Sequence, residues 1–379
     1  MMQSRSGTFP RPPRAYAAPF VALFALASFL PLPSIASADG LAPGRHVLRG
    51  KSVAVCNVIG DAKIVQGEGA DVVVEVTPRG ADGGRLRVVI DECKGQKQLR
   101  VVYPSDRVVD PTMGPHEVRQ STLDGCCATQ RIHFTRPGEG LDARADLTIH
   151  VPRDQKFALT QGTGPIDVTD VRGAIAIDTG GGDVSVTNLI GSLSIDAGSG
   201  EISVRKSKGW LAVDAGSGGA RIDEFDGTIA IDAGSGGVNL SNVRADKVAI
   251  DGGSGGISGD DIVAADFVID SGSGNIELTK LNSPRMVFDS GSGGISAGLS
   301  RSPESLRIES GSGGVRLTTP RDLDVTFDIT CNKRRLDIGV PVVASRVSNE
   351  HFEGLAGSGR GLIQIESGSG RVSVQPQED

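Results

Sequence analysis

The sequence predicts an all-β protein whose body is a parallel β-solenoid with about 19 residues per coil. Three observations carry that reading. The first is a repeat: Gly-Ser-Gly begins at 198, 216, 234, 253, 272, 291, 311 and 368, and one further copy at 357 is out of phase. The second is an acid two residues before the first glycine of each turn: Asp178, Asp196, Asp214, Asp232, Asp251, Asp270, Asp289, Glu309 and Glu366, where Gly180-Gly181-Gly182 fills the slot after Asp178. These acids recur at intervals of 18, 18, 18, 19, 19, 19, 20 and 57, and Asp328 falls at the first intervening slot of the long gap. The third is an apolar pattern locked to the acid. Ile175/Ile177, Leu193/Ile195, Leu211/Val213 and Ile229/Ile231 stand one and three residues before it, and Val184/Val186, Ile202/Val204 and Val238/Leu240 six and eight after it. Within each pair the period is two, the mark of a strand with one buried face.

A unit of strand, turn, strand, turn cannot bury its apolar face alone, whereas units stacked about 4.8 Å apart can. The composition agrees with a narrow stack. The 379 residues include 53 Gly but 14 aromatics, and five of those aromatics precede residue 39. Small branched aliphatics fill a thin cross-section, and the glycines are expected where a turn needs φ > 0 once per coil. Other repeat folds fit less well. A left-handed hexapeptide helix needs an aliphatic every six residues, a calcium-binding nonapeptide roll needs its acid after the glycines, and a propeller needs about 40 residues or more per blade.

In chain order, residues 1–38 read as a signal peptide. Arg5, Arg11 and Arg14 precede a mostly apolar run, Ala17 to Leu30, and Ala36-Ser37-Ala38 offers a small-x-small cleavage site. Pro31 and Pro33 break that run, so a membrane span is not expected there, nor from any later segment. Residues 39–158 still alternate but lack the period, and are expected to form an irregular N-terminal β cover, with 104–130 a long loop. Residues 159–338 are the regular solenoid, 339–361 an inserted excursion, and 362–379 the last coil and tail. A solenoid exposes strand edges at both ends, which is why both need covering.

The opening Val53-Ala-Val-Cys-Asn-Val-Ile-Gly-Asp61, the segment Leu147-Thr-Ile-His-Val-Pro-Arg153 and the repeated Ile-Asp-Ala-Gly-Ser-Gly-Gly-Val units together resemble the bacterial "putative adhesin" β-strand-repeat family. That family is a domain of unknown function, also likened to autotransporter adhesin heads. The resemblance implies an exported bacterial protein with a right-handed β-solenoid, and it brings no catalytic residues.

Chemistry is harder to find in the residues. After removal of 1–38 the chain holds 36 basic and 46 acidic residues, a net of −10, which argues against a nucleic-acid partner. Stacked carboxylates about 4.8 Å apart would repel by roughly 3 kcal/mol per pair at an effective dielectric of 20. The column Asp178 to Glu309 is therefore expected to be a structural turn ladder, each acid accepting hydrogen bonds from turn amides, with calcium bridging the rarer alternative. Serines 199, 217, 235, 254, 273, 292 and 312 should form a hydroxyl ladder beside it.

The five cysteines, Cys56, Cys93, Cys126, Cys127 and Cys331, lie in the exported part, where disulfides persist, and an odd number leaves one thiol over. A polysaccharide lyase or hydrolase would need a non-repeating polar cluster, for which Arg205, Lys206, Lys208, Trp210, Arg221, Asp223, Glu224 and Asp226 are the candidates. Lys333-Arg334-Arg335 is read as solvated loop charge, and no cofactor motif is present. The expected function is a non-catalytic structural or binding module of the cell envelope, periplasmic or secreted, with a glycan or envelope protein as partner. The alternatives are the lyase or hydrolase and a calcium-stabilised surface protein.

Overall fold

Two parallel sheets, joined along both long edges by turns, enclose one continuous apolar core. The computed structural model describes residues 42–377, apart from 114–118, 124–126 and 128–129. The expected signal segment 1–38 lies outside the described residues, which belong to one unit, Asp39–Asp379.

Each coil contributes one segment before its Gly-Ser-Gly turn to a front sheet and one after it to a back sheet. In the front sheet Asp178, Asp196, Asp214, Asp232, Asp251, Asp270, Asp289 and Glu309 are successive parallel partners. In the back sheet Ile166, Val184, Ile202, Ala220, Val238, Ile257, Ile276, Ile295 and Val315 line up in the same way. In the middle coils the second turn is so shallow that one strand runs from the back sheet into the front: Ile202–Ala215, Ala220–Ala233, Val238–Gly252 and Ile257–Ser271.

The inward positions are those the period picks out. Leu211, Ile229, Val248, Phe267 and Phe288 are fully buried, and the Phe267 and Phe288 rings meet edge to face at 5.6 Å. Fully burying one such side chain contributes about 1.5–3 kcal/mol, so each added coil stabilises its neighbours.

The glycines of the first turns supply the expected positive φ, Gly164, Gly182 and Gly200 at 114, 101 and 106°, but those of the later turns have a different role. In the in-phase copies from Gly216 onward the Gly-Ser-Gly glycines do not have left-handed φ, whereas Gly357 and Gly359 of the out-of-phase copy do, at 63 and 76°. The in-phase glycines are required because the coils touch: a Cβ on Gly218 would stand 1.7 Å from the Gly200 carbonyl oxygen, and one on Gly236 1.8 Å from that of Gly218. At the second turn left-handed backbone is carried by Asp170, Asn188, Lys206, Glu224, Asn242, Asp261 and Lys280, with φ between 50 and 57°.

Both ends depart from sequential stacking. The first coil, Ser52–Ile59 with Ala62–Gln66, is flanked on the body side by Gln155–Thr163 and Ile166–Thr169. On the outer side lie Gln96–Val102 and Arg144–Val151, also parallel to it. Arg87–Cys93, Val72–Arg79 and Arg45–Leu48 then close this end with antiparallel pairing. Tyr103 ties the layers together, its hydroxyl 3.0 Å from both Asn57 Oδ1 and the Ile59 carbonyl, while Asn57 Nδ2 donates to Ala145 O at 2.9 Å.

At the other end the last coil in sequence is the next to last in space. Gly361–Ser367 and Val372–Pro376 lie directly on Ser305–Ser310 and Val315–Thr319. Val325–Thr330 and Leu336–Ile338 lie beyond them. His351–Ala356 and Val343–Val347 finish the front sheet antiparallel. This corrects the slot assigned to Asp328. It faces Gln364, and Thr330 stands opposite Glu366, because the coil from 325 is not stacked on the one before it in sequence.

Segment 104–130, read as a long loop, carries strands instead. Arg107–Val109, Arg119–Leu123 and Gln130–Thr135 form a three-stranded sheet that buries Ile132 and Phe134. The Phe134 ring and the Ser121 hydroxyl reach Gly162 and Gly180, so this sheet covers the turn edge of the first coils.

Candidate functional site

The acid column is assembled by strand register, and its electrostatics are those of like charges held together. Burial and the neighbouring Asp196 carboxylate push the Asp214 carboxyl above its ordinary pKa. Burial, Asp251 and Asp214 do the same to Asp232. The turn is closed next door. The buried hydroxyls of Thr179, Ser271, Ser290 and Ser310, each following an acid, donate to the carbonyls of Gly181, Gly274, Gly293 and Gly313 at 2.7–3.0 Å. The turn serines bond from coil to coil: Ser217 N–H donates to Gly198 O at 3.0 Å and Ser235 N–H to Gly216 O at 3.0 Å. Asp178, Asp270 and Asp289 have further polar or electrostatic partners. Among the described residues no group of three or more His, Cys, Asp or Glu is placed to hold a metal ion.

Cys56 and Cys127 form a disulfide with their Cα atoms 5.6 Å apart, which staples the small three-stranded sheet to the first coil. Cys93 is also disulfide-bonded, and Cys126 lies outside the described residues. Cys331 is a free, buried thiol whose pKa is raised by burial.

The polar cluster around Trp210 is not one site. Arg205, Arg221 and Asp223 project from the back sheet, where they line a shallow cavity of about 510 Å³ with Asp183 and Glu201. Lys206 and Glu224 occupy the left-handed second turn. Lys208 pairs with Asp226 at 2.6 Å, and Trp210 sits in the front sheet between Ser192 and Thr228. Within the cavity Arg221 faces Glu201 at 3.5 Å and Arg205 faces Asp223 at 4.0 Å, so the chain neutralises its own charges there. Hydrogen bonds from Ser241 and Asn242 hold the Asp223 carboxyl below its usual pKa.

A second back-sheet cavity, of about 300 Å³, is lined by Arg316 and Arg371 with Asn275, Glu277, Ser296 and Ser373. Sequence reasoning missed it because its two arginines are 55 positions apart (371 minus 316) and meet through the out-of-order stacking at this end. The departure of the acid spacing to 57 was the available signal.

Among the described residues no helix is long and apolar enough to cross a membrane. Residues 211–375 match the family model described as Toastrack DUF4097, a β-repeat domain of unknown function rather than an autotransporter head. No curated protein matches the chain. Among solved structures it is similar to "a putative cell adhesion protein from Clostridium sporogenes ATCC 15579", at 9% identity over 88% of this chain and 100% of that one, with a TM-score of 0.17. So slight a likeness does not inform the fold.

Proposed function

We propose that this chain is an exported, non-catalytic β-solenoid that serves as a structural or adhesin-like binding module of the bacterial cell envelope, in the periplasm or outside the cell. The observation that carries the reading is the display of mostly small residues in register along both sheets, with charged residues at intervals on the back one. The outward back-sheet column runs Ser185, Ser203, Arg221, Asn239, Ser258, Glu277, Ser296 and Arg316, and the front one Ala176, Ser194, Ala212, Ala230 and Ala249. Contact is thereby spread along the rod, as a surface that meets a glycan or an envelope protein requires, while the candidate catalytic residues are dispersed over separate surfaces. The Toastrack match over 211–375 supports a repeat module, and the Cys56–Cys127 disulfide suits an oxidising compartment. The acid column serves as a structural turn ladder in this reading.

A glycan array probed with the mature chain tests it. Binding without cleavage is the expected result. Release of unsaturated or shortened oligosaccharides would overturn the non-catalytic reading in favour of a lyase or hydrolase. Cell fractionation tests export: recovery of the full-length chain in the cytoplasm, with its thiols reduced, contradicts the proposal.

A further inference from the structure

We propose that the back-sheet cavity lined by Arg316 and Arg371 is a subsite for the carboxylate of a uronic acid residue in a linear anionic glycan. The inference rests on the binding-module reading and assigns its contact face. Arg316 is the direct partner of Ser373 across adjacent coils, and Arg371 is two residues before Ser373 on the same side of the strand. Strand rise and spacing place the two Cα atoms about 8 Å apart. Both arginines are exposed, and neither lies within 4.0 Å of a carboxylate among the described residues. Several other arginines on the rod have carboxylate partners: Arg244 with Asp261 at 2.7 Å, Arg285 with Asp266 at 2.5 Å, and both arginines of the first cavity. In an acidic protein the second cavity thus concentrates uncompensated guanidinium charge, with Glu277 its one acidic lining residue.

The floor beside Arg371 carries no side chain on the next two rungs. Gly314 and Gly294 occupy the same outward column on the next two rungs, neither has left-handed φ, and a Cβ on them would meet its nearest neighbour at 3.3 and 3.6 Å. Gly313 and Gly293, one residue earlier, leave 2.0 Å, so stacking demands glycine there; at 294 a Cβ meets only ordinary contact, and at 314 the Arg371 carbonyl would have to give by a few tenths of an ångström. The missing side chains leave a channel along the axis in which a linear chain can lie. Guanidinium forks match a planar carboxylate by paired N–H donors. The Ser296 and Ser373 hydroxyls and the NH₂ of Asn275, whose Oδ1 already accepts from Gly294 N–H at 2.9 Å, can serve ring hydroxyls.

The test is calorimetric titration of the mature chain with tetragalacturonate, with neutral chitotetraose as the second arm. Arg316→Ser and Arg371→Gly copy what adjacent rungs hold, Ser296 and Gly314, so the stack is retained and thermal melting checks that it is. Tetragalacturonate is expected to bind, more weakly as salt is raised. The double variant is expected to lose about tenfold or more in affinity, the 1.4 kcal/mol that separates decades. Lys208→Ala, on another edge, is expected to bind as the parent does. Unchanged affinity in the double variant, or no binding of tetragalacturonate, would overturn the subsite. Binding of chitotetraose alone overturns it while leaving the binding-module reading in place.

Discussion

Between Gly173 and Thr319 every coil lies on the one that precedes it in the chain, whereas at each end the terminal coil is laid one rung inside the stack. Ser52–Gln66 is held between Gln155–Thr169 and the pair Gln96–Val102 with Arg144–Val151. Gly361–Pro376 is held between Ser305–Thr319 and Val325–Ile338. The difference teaches how a repeat protein can protect its ends. A coil at the tip of a sequential stack has one ladder to break before it peels away. An interposed coil must break two, and its outer neighbour is covalently part of the chain that precedes or follows it. The body is therefore governed by nearest-neighbour contacts, and the ends by contacts distant in sequence.

Deleting residues 361–379 strikes at the comparison hardest. It removes the coil that both Ser305–Thr319 and Val325–Ile338 rest on. Limited proteolysis should then cut throughout 320–360 while the coils before Ser290 stay protected. A C-terminal segment as resistant as in the parent would show that the interposed coil does not hold that end.

In the body, two glycine substitutions should differ sharply. Gly236→Ala puts a Cβ against the Gly218 carbonyl, and overpacking of that kind costs about 3 kcal/mol or more. Gly256→Ala meets nothing nearer than 3.7 Å and has no left-handed φ. It should be neutral or stabilising by about 0.4–1 kcal/mol, through a less flexible unfolded chain. Urea unfolding of the pair checks the contrast.

The disulfide sharpens it at the N-terminal end. Replacing Cys56 and Cys127 by Ala should destabilise by about 2–4 kcal/mol. Hydrogen exchange should place the added opening in the first coil and the three-stranded sheet, with the coils beyond Asp214 unaffected. The smallest effect concerns charge. Asp214 and Asp232 have pKa values raised by folding, so between the unfolded and folded values the native state binds more protons. Their contribution to stability is most favourable below the unfolded pKa and falls as pH rises through the folded one. Asp214→Asn with Asp232→Asn should therefore raise the melting temperature at neutral pH and change it little near pH 3, as thermal scans at the two pH values would report.

The coil and its register were legible because the buried pairs, such as Leu211/Val213 and Ile229/Ile231, keep period two and a fixed distance from the acid. What periodicity does not encode is the order in which coils are laid down. The spacing of 57 was divisible into three periods, yet one rung separates Glu309 from Glu366. Glycine was ambiguous in another way: the same residue answers to left-handed φ and to close approach, and at Gly218 and Gly236 the second applies. The left-handed column carried its own signal, Asp170, Asn188, Asn242 and Asp261, residues that tolerate this backbone, ten positions after the acid slot. The cavity with Arg316 and Arg371 was hidden for the same reason as the rung order.

The stacking order is tested most directly by a cross-link. With Cys331 replaced by Ala, Glu309→Cys and Glu366→Cys face each other on adjacent parallel strands. They should form a disulfide in high yield under mild oxidation, with the Cα atoms about 5 Å apart. Coils laid in sequence order would hold them three rungs apart, about 14 Å and beyond the reach of a disulfide. Failure of that pair to close in a folded protein would contradict the account.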